Sequence, residues 1–434
     1  MRILLIAYEF PPSASPQSLR WIYLVRELAL LGDDVHVLTI DLGGTGHGLP
    51  DLPANVTVHR TWPGPFRGIV AWRRKRRHRD GRLPAAMPRP SSAPAGKMRP
   101  GWKQSVSEVL QRIAACIWFP DLRGEWRRTG ERALRTLLPV LAPDVVISSH
   151  EPATTLELGL TARRAGFRWV ADLGDPVLAP YTPARWRRRA QRLEHQVCRE
   201  ADCILVTADS ALESLRCRHG RTHGIEVLTQ GFPATQPQPE AHGPAQDAPL
   251  HLFYAGSFYS FRRPEALLQA VLDTAGVELS IASINAPESI RRISSEHPGR
   301  IRLLGFLPHA EALRLQRRAD VLVSIANCDA RQVPGKFYEY LGAARPVLHL
   351  HDAKPDDAAS RLLRELRRGI VCRNETGAIA AQLARLQQAK RAGALDGMFR
   401  LEMDPVMEYA WPRLAARLRG ILARVLEDSA PRGG

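Results

Sequence analysis

The sequence predicts an α/β protein built from two tandem doubly wound domains. Three observations carry this: short apolar runs alternate with helical periodicity along most of the chain, the alternation restarts after a Pro- and Ala-rich break at 233–249, and 434 residues exceed what one hydrophobic core usually organises. Buried strands alternating with amphipathic helices imply parallel sheets covered on both faces.

The elements follow in order. Residues 3–7 form a continuous apolar run; 17–31 carries Leu19, Ile22, Tyr23, Val25, Leu28 and Leu30 at helical spacing; Gly32 sits where a left-handed cap belongs, and 35–40 is a second strand. After an interruption the pattern returns with strands at 145–148, 169–172, 203–207 and 226–228, and with helices at about 153–165, from about 183 to 200, and from Ser210. Beyond the break come strands at 252–255, 277–281, 301–304, 321–325 and 346–350, with helices at 264–273, 288–295, 310–318, 335–343 and from Asp357. The amphipathic stretch 406–426 is long enough to return to the first domain. The expected division is 1–232, a linker at 233–249, 250–405, and a C-terminal helix over 406–434 packing on the first domain. Two such sheets on a linker are expected to face each other across a cleft at their strand ends, an arrangement suited to two substrates.

Composition narrows the function. With 44% apolar and 24% charged residues the chain reads as globular, which excludes wholesale disorder. Six scattered cysteines without a C-x-x-C pair signal neither a zinc site nor a disulfide framework, and fit a reducing compartment. One charge before a six-residue apolar run, with no small-residue cleavage site after it, marks the N-terminus as a strand rather than a secretory leader. No stretch approaches the roughly 18 to 20 apolar residues of a membrane span. The expected location is cytoplasmic, peripheral at the inner face of the cell membrane. A net charge of +17 points to an anionic partner: phosphate, lipid headgroup or nucleic acid.

Candidate chemistry lies first in three segments. The loop after the first strand, PPSASPQSLR, has no glycine, which disfavours a dinucleotide fingerprint; Ser15 and Arg20 offer either an anion or hydroxyl site or ordinary helix capping. In RQVPGKFYEYLGAARPVLHL, Pro334 and Gly335 open a helix whose free N–H groups favour a phosphate, and Lys336 adds a full charge. Glu339, one turn on, can accept two hydrogen bonds from a sugar diol; the alternative is a surface ion pair between Lys336 and Glu339. Arg262 and Arg263 stand at a helix start, where the dipole disfavours a cation unless an anion is present.

The segment P-G-K-F-Y-E-Y-L-G-A-A-R-P-V resembles the P-x-K-x-x-E-x-x-A-x-G-x-P-V signature of family 4 glycosyltransferases, which have the GT-B fold of two Rossmann-like domains. The resemblance implies that Glu339, second acid of an E-x7-E motif, binds the ribose of a sugar nucleotide. The first acidic position is Arg331, with Asp329 the nearest acid, a departure that bears on how the donor sugar is held. YAGSFYSFRRPEALLQA resembles the family's strand followed by G-R-L-x-x-x-K-G, which assigns Gly256 to the turn and Arg262 to the donor diphosphate; Ser257 replaces the usual arginine. Gly305 and Phe306 resemble the turn beside the nucleotide base. PDVVISSHEPATT and WVADLGDPVLAPY resemble a branch acting on lipid-linked or cell-surface polysaccharides, with Asp172 and Asp175 in its D-L-R-D-P position. Asp172 is expected near the acceptor hydroxyl; Asp175 is either a second such group or a helix N-cap. The resemblance implies retention of configuration, no metal and no cofactor, with a UDP- or GDP-sugar as donor and Arg262, Lys336 and Glu339 at the reacting end.

Residues 67–103 hold twelve Lys or Arg against one acid, Asp80, with Trp72 and Trp102 within and Trp62, Phe66, Ile117, Trp118 and Phe119 flanking. A second patch, RWRRRAQR, follows at 185–192. This basic insertion, about 62–120, is expected to be a flexible segment against an anionic membrane surface. Nucleic acid is disfavoured as partner because no RNP, KH, zinc-finger or helix-turn-helix signature is present. The reading is a glycosyltransferase acting on a lipid-linked saccharide in surface polysaccharide biosynthesis; a silent scaffold of the same fold, a basic nucleic-acid-binding protein and a sugar-nucleotide epimerase are the alternatives.

Overall fold

The computed structural model describes residues 1–13, 15–43, 49–79, 118–178, 182–234, 248–259, 262–326, 333–352 and 357–427. Asp329, Arg331, most of the 233–249 break and residues 80–117 of the basic insertion lie outside them. The chain forms two compact units, 1–228 with 415–434, and 229–414.

The first unit is a seven-stranded parallel sheet of β1 (Arg2–Ala7), β2 (Asp34–Ile40), β3 (Val56–Thr61), β4 (Val145–His150), β5 (Arg168–Leu173), β6 (Cys203–Val206) and β7 (Ile225–Val227), in the order β3-β2-β1-β4-β5-β6-β7. Its helices are α1 (Pro16–Leu30), α2 (Pro65–Arg79), α3 (Arg127–Leu141), α4 (Thr154–Arg164), α5 (Ala184–Glu200) and α6 (Asp209–His219). Ser15 caps α1 by accepting a hydrogen bond from the Ser18 amide at 3.1 Å, and Pro16 fits the first helical position. The helix ends before Gly32, whose φ of +89° only glycine adopts without strain. Trp169 lies fully buried between β5 and α4, its Nε1 donating to Ser148 Oγ at 2.8 Å; a Cβ on Gly159 would come within 2.2 Å of that ring nitrogen, so the ring depends on the missing side chain.

The second unit is a six-stranded parallel sheet of β8 (Leu250–Ala255), β9 (Val277–Ala282), β10 (Ile301–Gly305), β11 (Val321–Ile325), β12 (Val347–His351) and β13 (Gly369–Arg373), ordered β10-β9-β8-β11-β12-β13. Helices α7 (Glu265–Asp273), α8 (Glu288–Glu296), α9 (His309–Arg318), α10 (Gly335–Gly342), α11 (Ala358–Leu366) and α12 (Thr376–Arg391) cover it. Phe232 belongs here: its amide donates to Tyr409 O at 3.1 Å, Trp411 N donates back at 2.9 Å, and its ring lies where a Cβ on Gly342 would be. The last helix, α13 (Trp411–Glu427), joins the first unit from Ala415, where Arg419 binds Asp33 at 3.0 Å and Arg424 binds Glu226 at 3.0 Å.

Three expectations of local structure need correction. Residues 65–79 are helical rather than a flexible segment, because Pro65 starts the turn and Glu125 accepts from the Phe66 and Arg67 amides at 2.9 and 2.8 Å. Strand β3 stands where the periodicity was interrupted; its half-buried edge position leaves the short VTVHRT run without a continuous apolar signature. Residues 174–178 form no helix, so Asp175 caps none.

Candidate functional site

In an open parallel sheet the strands' carboxyl ends, next to the point where strand order reverses, gather loops and helix N-termini. In the second unit that point lies between β8 and β11. Helix α10 starts there with Pro334 as N-cap and no side chain capping its first amides, so the dipole's positive end stays available to an anion. Phe337, Tyr338, Tyr340 and Leu341 are buried, which turns Lys336 and Glu339 to the other face. Tyr340 fixes the helix to the sheet: its hydroxyl accepts from the Ala255 amide at 3.0 Å. The place of the signature's glycine is taken by Ala344, at φ +53°, a conformation that costs a non-glycine residue about 1 kcal/mol.

Glu339 is held from below. His309 Nε2 lies 3.0 Å from Oε1 and the buried Gln316 donates to Oε2 at 3.3 Å. The carboxylate keeps further lone pairs on a part-exposed edge, the arrangement that receives a diol. Lys336 makes no hydrogen bond among the described residues, and no bond to Glu339, so the surface ion pair is not what its spacing serves. Surrounding protein and the Arg262 cation pull its ammonium below the usual lysine range, against the opposing charge of Glu339, although the side chain reaches solvent.

Arg262 is half-buried, with Nη1 donating to Ser257 O at 2.8 Å and its guanidinium 5.3 Å from the centre of the Tyr259 ring. Gly256 lets β8 turn beside the Tyr254 hydroxyl, which a Cβ would meet at 2.9 Å. Arg263 is exposed and its carbonyl accepts from Asn374 at 3.0 Å. Gly305 ends β10 after a register shift against β9, at φ +69°, and leaves Phe306 as an exposed ring. The second unit thus gathers two cations, an uncapped helix start and a braced carboxylate.

The first unit corrects two expectations. Arg20 and Asp172 are fully buried and bind each other at 3.2 Å; Arg20 also donates to Leu228 O at 2.9 Å. The other Asp172 oxygen accepts from Trp21 Nε1 at 3.0 Å and Gln17 Nε2 at 3.1 Å. Neither residue is open to a ligand, so both are structural rather than acceptor-facing. Ser15 serves as the α1 cap. Asp175 does reach solvent, and its carboxyl is pushed up to about 6 by the protein packed around it and by the neighbouring charges of Glu151 and Asp172.

Asp175 brings forward a residue that the sequence reading passed over. His150, at the end of β4, has Nδ1 2.9 Å from the Asp175 carbonyl, which can only accept, so Nδ1 carries the proton and Nε2 is the acceptor. Burial lowers its pKa, against Glu151, which leaves the imidazole neutral near pH 7. Beside it Arg123 is 2.8 Å from Asp121, 3.5 Å from Glu151 and 3.9 Å from Glu9, while Ser13 donates to Glu9 at 2.7 Å. The available signal was a histidine closing a buried strand. Among the described residues no three His, Cys, Asp or Glu come together as metal ligands, Cys198, Cys203, Cys217 and Cys372 are free thiols, and no helix is long and apolar enough to cross a membrane.

Residues 20–231 match the model of the glycosyl transferase 4-like domain. No curated protein matches the chain. Among solved structures, it is similar to sucrose-phosphate synthase from Thermosynechococcus elongatus, at 15% identity and TM-score 0.66, over 99% of this chain and 100% of that one. It is also similar to WaaG, a glycosyltransferase involved in lipopolysaccharide biosynthesis, at 12% identity and TM-score 0.53 over 99% and 100%, and to the lipopolysaccharide outer core galactosyltransferase WaaB, at 11% and 0.52 over 98% and 99%. At these identities the structural likeness establishes the fold.

Proposed function

Because the chain carries a glycosyl transferase 4-like domain at 20–231 and is a glycosyltransferase with the GT-B fold, we propose that its second unit binds a UDP- or GDP-sugar without a metal and its first unit a lipid-linked saccharide acceptor. The observation that carries the donor assignment is the uncapped start of α10 beside Lys336 and Arg262, with Glu339 braced one turn away. A nucleoside diphosphate has charge, phosphate oxygens and a ribose diol at matching spacing. As the bond from the sugar's anomeric carbon to the diphosphate breaks, negative charge grows on the leaving oxygen, and these fixed cations stabilise it in place of a divalent ion. Gly256, Gly305 and Phe306 shape the turns around the nucleotide, and Arg263 is the outer cation. Retention of anomeric configuration follows from the resemblance. Neutral His150, with Nε2 as acceptor, is suited to orient an acceptor hydroxyl.

A role in surface polysaccharide assembly, at the cytoplasmic face of an anionic membrane, is supported by α2. Phe66, Ile69, Val70 and Trp72 are exposed on it, Trp62 is exposed beside it, and Arg73, Lys75 and Arg76 follow. Apolar rings next to cations suit the headgroup boundary. The protein is expected to sediment with phosphatidylglycerol vesicles and not with phosphatidylcholine vesicles. Replacing both Phe66 and Trp72 by Ala should weaken that binding by about tenfold or more; equal binding of the variant removes α2 from the contact. Donor turnover in excess EDTA, unchanged by magnesium, is the expected result for the chemistry; turnover that requires the cation contradicts the metal-free reading.

A further inference from the structure

A further concentration of cations lies on the helices of the first unit. Helices α3, α4 and α5 enclose a groove of about 430 Å³ lined by Arg127, Arg164, Arg189, Arg192 and Glu157, with Leu160 and Leu193 among its walls. One carboxylate thus faces four guanidinium groups. Glu157 is spent on two of them, lying 2.7 Å from Arg189 and 3.4 Å from Arg127. Arg189 is further fixed over the Phe119 ring, 4.5 Å from its centroid, so its planar fork is preorganised. Arg192 donates Nε to the Arg188 carbonyl at 3.3 Å, and Arg164 has a half-buried partner, Glu200, at 3.5 Å. With Glu157 and Glu200 offsetting only part of the four guanidinium charges, the mouth keeps a net positive charge that a multivalent oxyanion in the groove neutralises. Guanidinium forks match phosphate oxygens in pairs, and the cavity volume admits a phosphate or diphosphate group with part of what it is attached to.

We propose that the α3–α4–α5 groove is a phosphate site, taking a phosphomonoester or diphosphate group borne by a lipid headgroup or by a soluble phosphorylated compound. The test uses the full chain with Lys336→Ala, so that the donor side does not contribute, and inorganic pyrophosphate as the calorimetric probe. Pyrophosphate should still bind, and adding Arg164→Gln with Arg192→Gln should weaken it at least about tenfold at an unchanged melting temperature. Arg127→Gln alone, a change at an exposed position, should weaken it several-fold and covers the case in which the double change unfolds the protein. Phosphatidylglycerol vesicles then distinguish the sources: displacement of pyrophosphate by vesicles assigns the groove to a lipid headgroup, and pyrophosphate binding indifferent to vesicles assigns it to a soluble phosphate. Absence of pyrophosphate binding in the Lys336→Ala protein, or equal affinity with and without the arginines, overturns the proposal.

Discussion

Lys336→Ala is expected to lower kcat for donor cleavage by about 10²- to 10³-fold while the fold and melting temperature stay unchanged. The ammonium stands on the exposed face of α10, makes no hydrogen bond among the described residues, and has its charge disfavoured by the protein around it and by Arg262. A diphosphate reverses both conditions, and most strongly once the leaving oxygen carries full charge; an interaction larger in the transition state than in the ground state appears in kcat. Glu339→Ala should behave differently. Its carboxylate is braced by His309 and Gln316 on one side, and in the proposed role it would hold a ribose diol that does not change during the reaction, so its loss should raise KM more than it lowers kcat. Steady-state kinetics on the two variants reads the split, and an unchanged kcat in Lys336→Ala removes that residue from the reacting end.

Asp172→Ala is expected to cost about 3–5 kcal/mol in the first unit, the largest stability effect of any single change considered. It would leave the guanidinium of Arg20 buried without its carboxylate, and Trp21 Nε1 and one Gln17 amide bond without an acceptor. A domain is usually stable by only about 5–15 kcal/mol. Urea unfolding should therefore show the first unit melting well before the second. Arg20→Met with Asp172→Leu should recover a large part of the loss, because an apolar pair removes both charges together. A catalytic Asp172 would give the opposite pattern: full stability in Asp172→Ala with activity lost.

The division into two parallel sheets was legible because fully buried strands such as 145–148 and 321–325 read as continuous apolar runs. The edge strand β3 escaped because it is half-buried, and α2 because its charge density resembles a solvated segment when the Glu125 carboxylate that receives its first amides is 58 residues or more away. Lys336 and Glu339 were legible since both lie on one helix and spacing alone places them on a shared face. The brace on Glu339 was not, because His309 and Gln316 come from another helix. Asp172 was misread for the same reason: a carboxylate at a strand end looks like a site until its partners, 151 to 155 residues away, are seen to enclose it. His150 needed the Asp175 carbonyl to define its tautomer.

The proposed donor site of the second unit holds a nucleoside diphosphate through Lys336, Arg262 and Glu339. Its most direct test is the melting temperature of the wild type and of Glu339→Ala with UDP, GDP, ADP or CDP in EDTA, where a ligand at about 100 times its dissociation constant adds roughly 2.7 kcal/mol. UDP or GDP is expected to raise the wild-type transition by clearly more than that of Glu339→Ala. Equal shifts in both proteins, or no shift with any diphosphate, would contradict it.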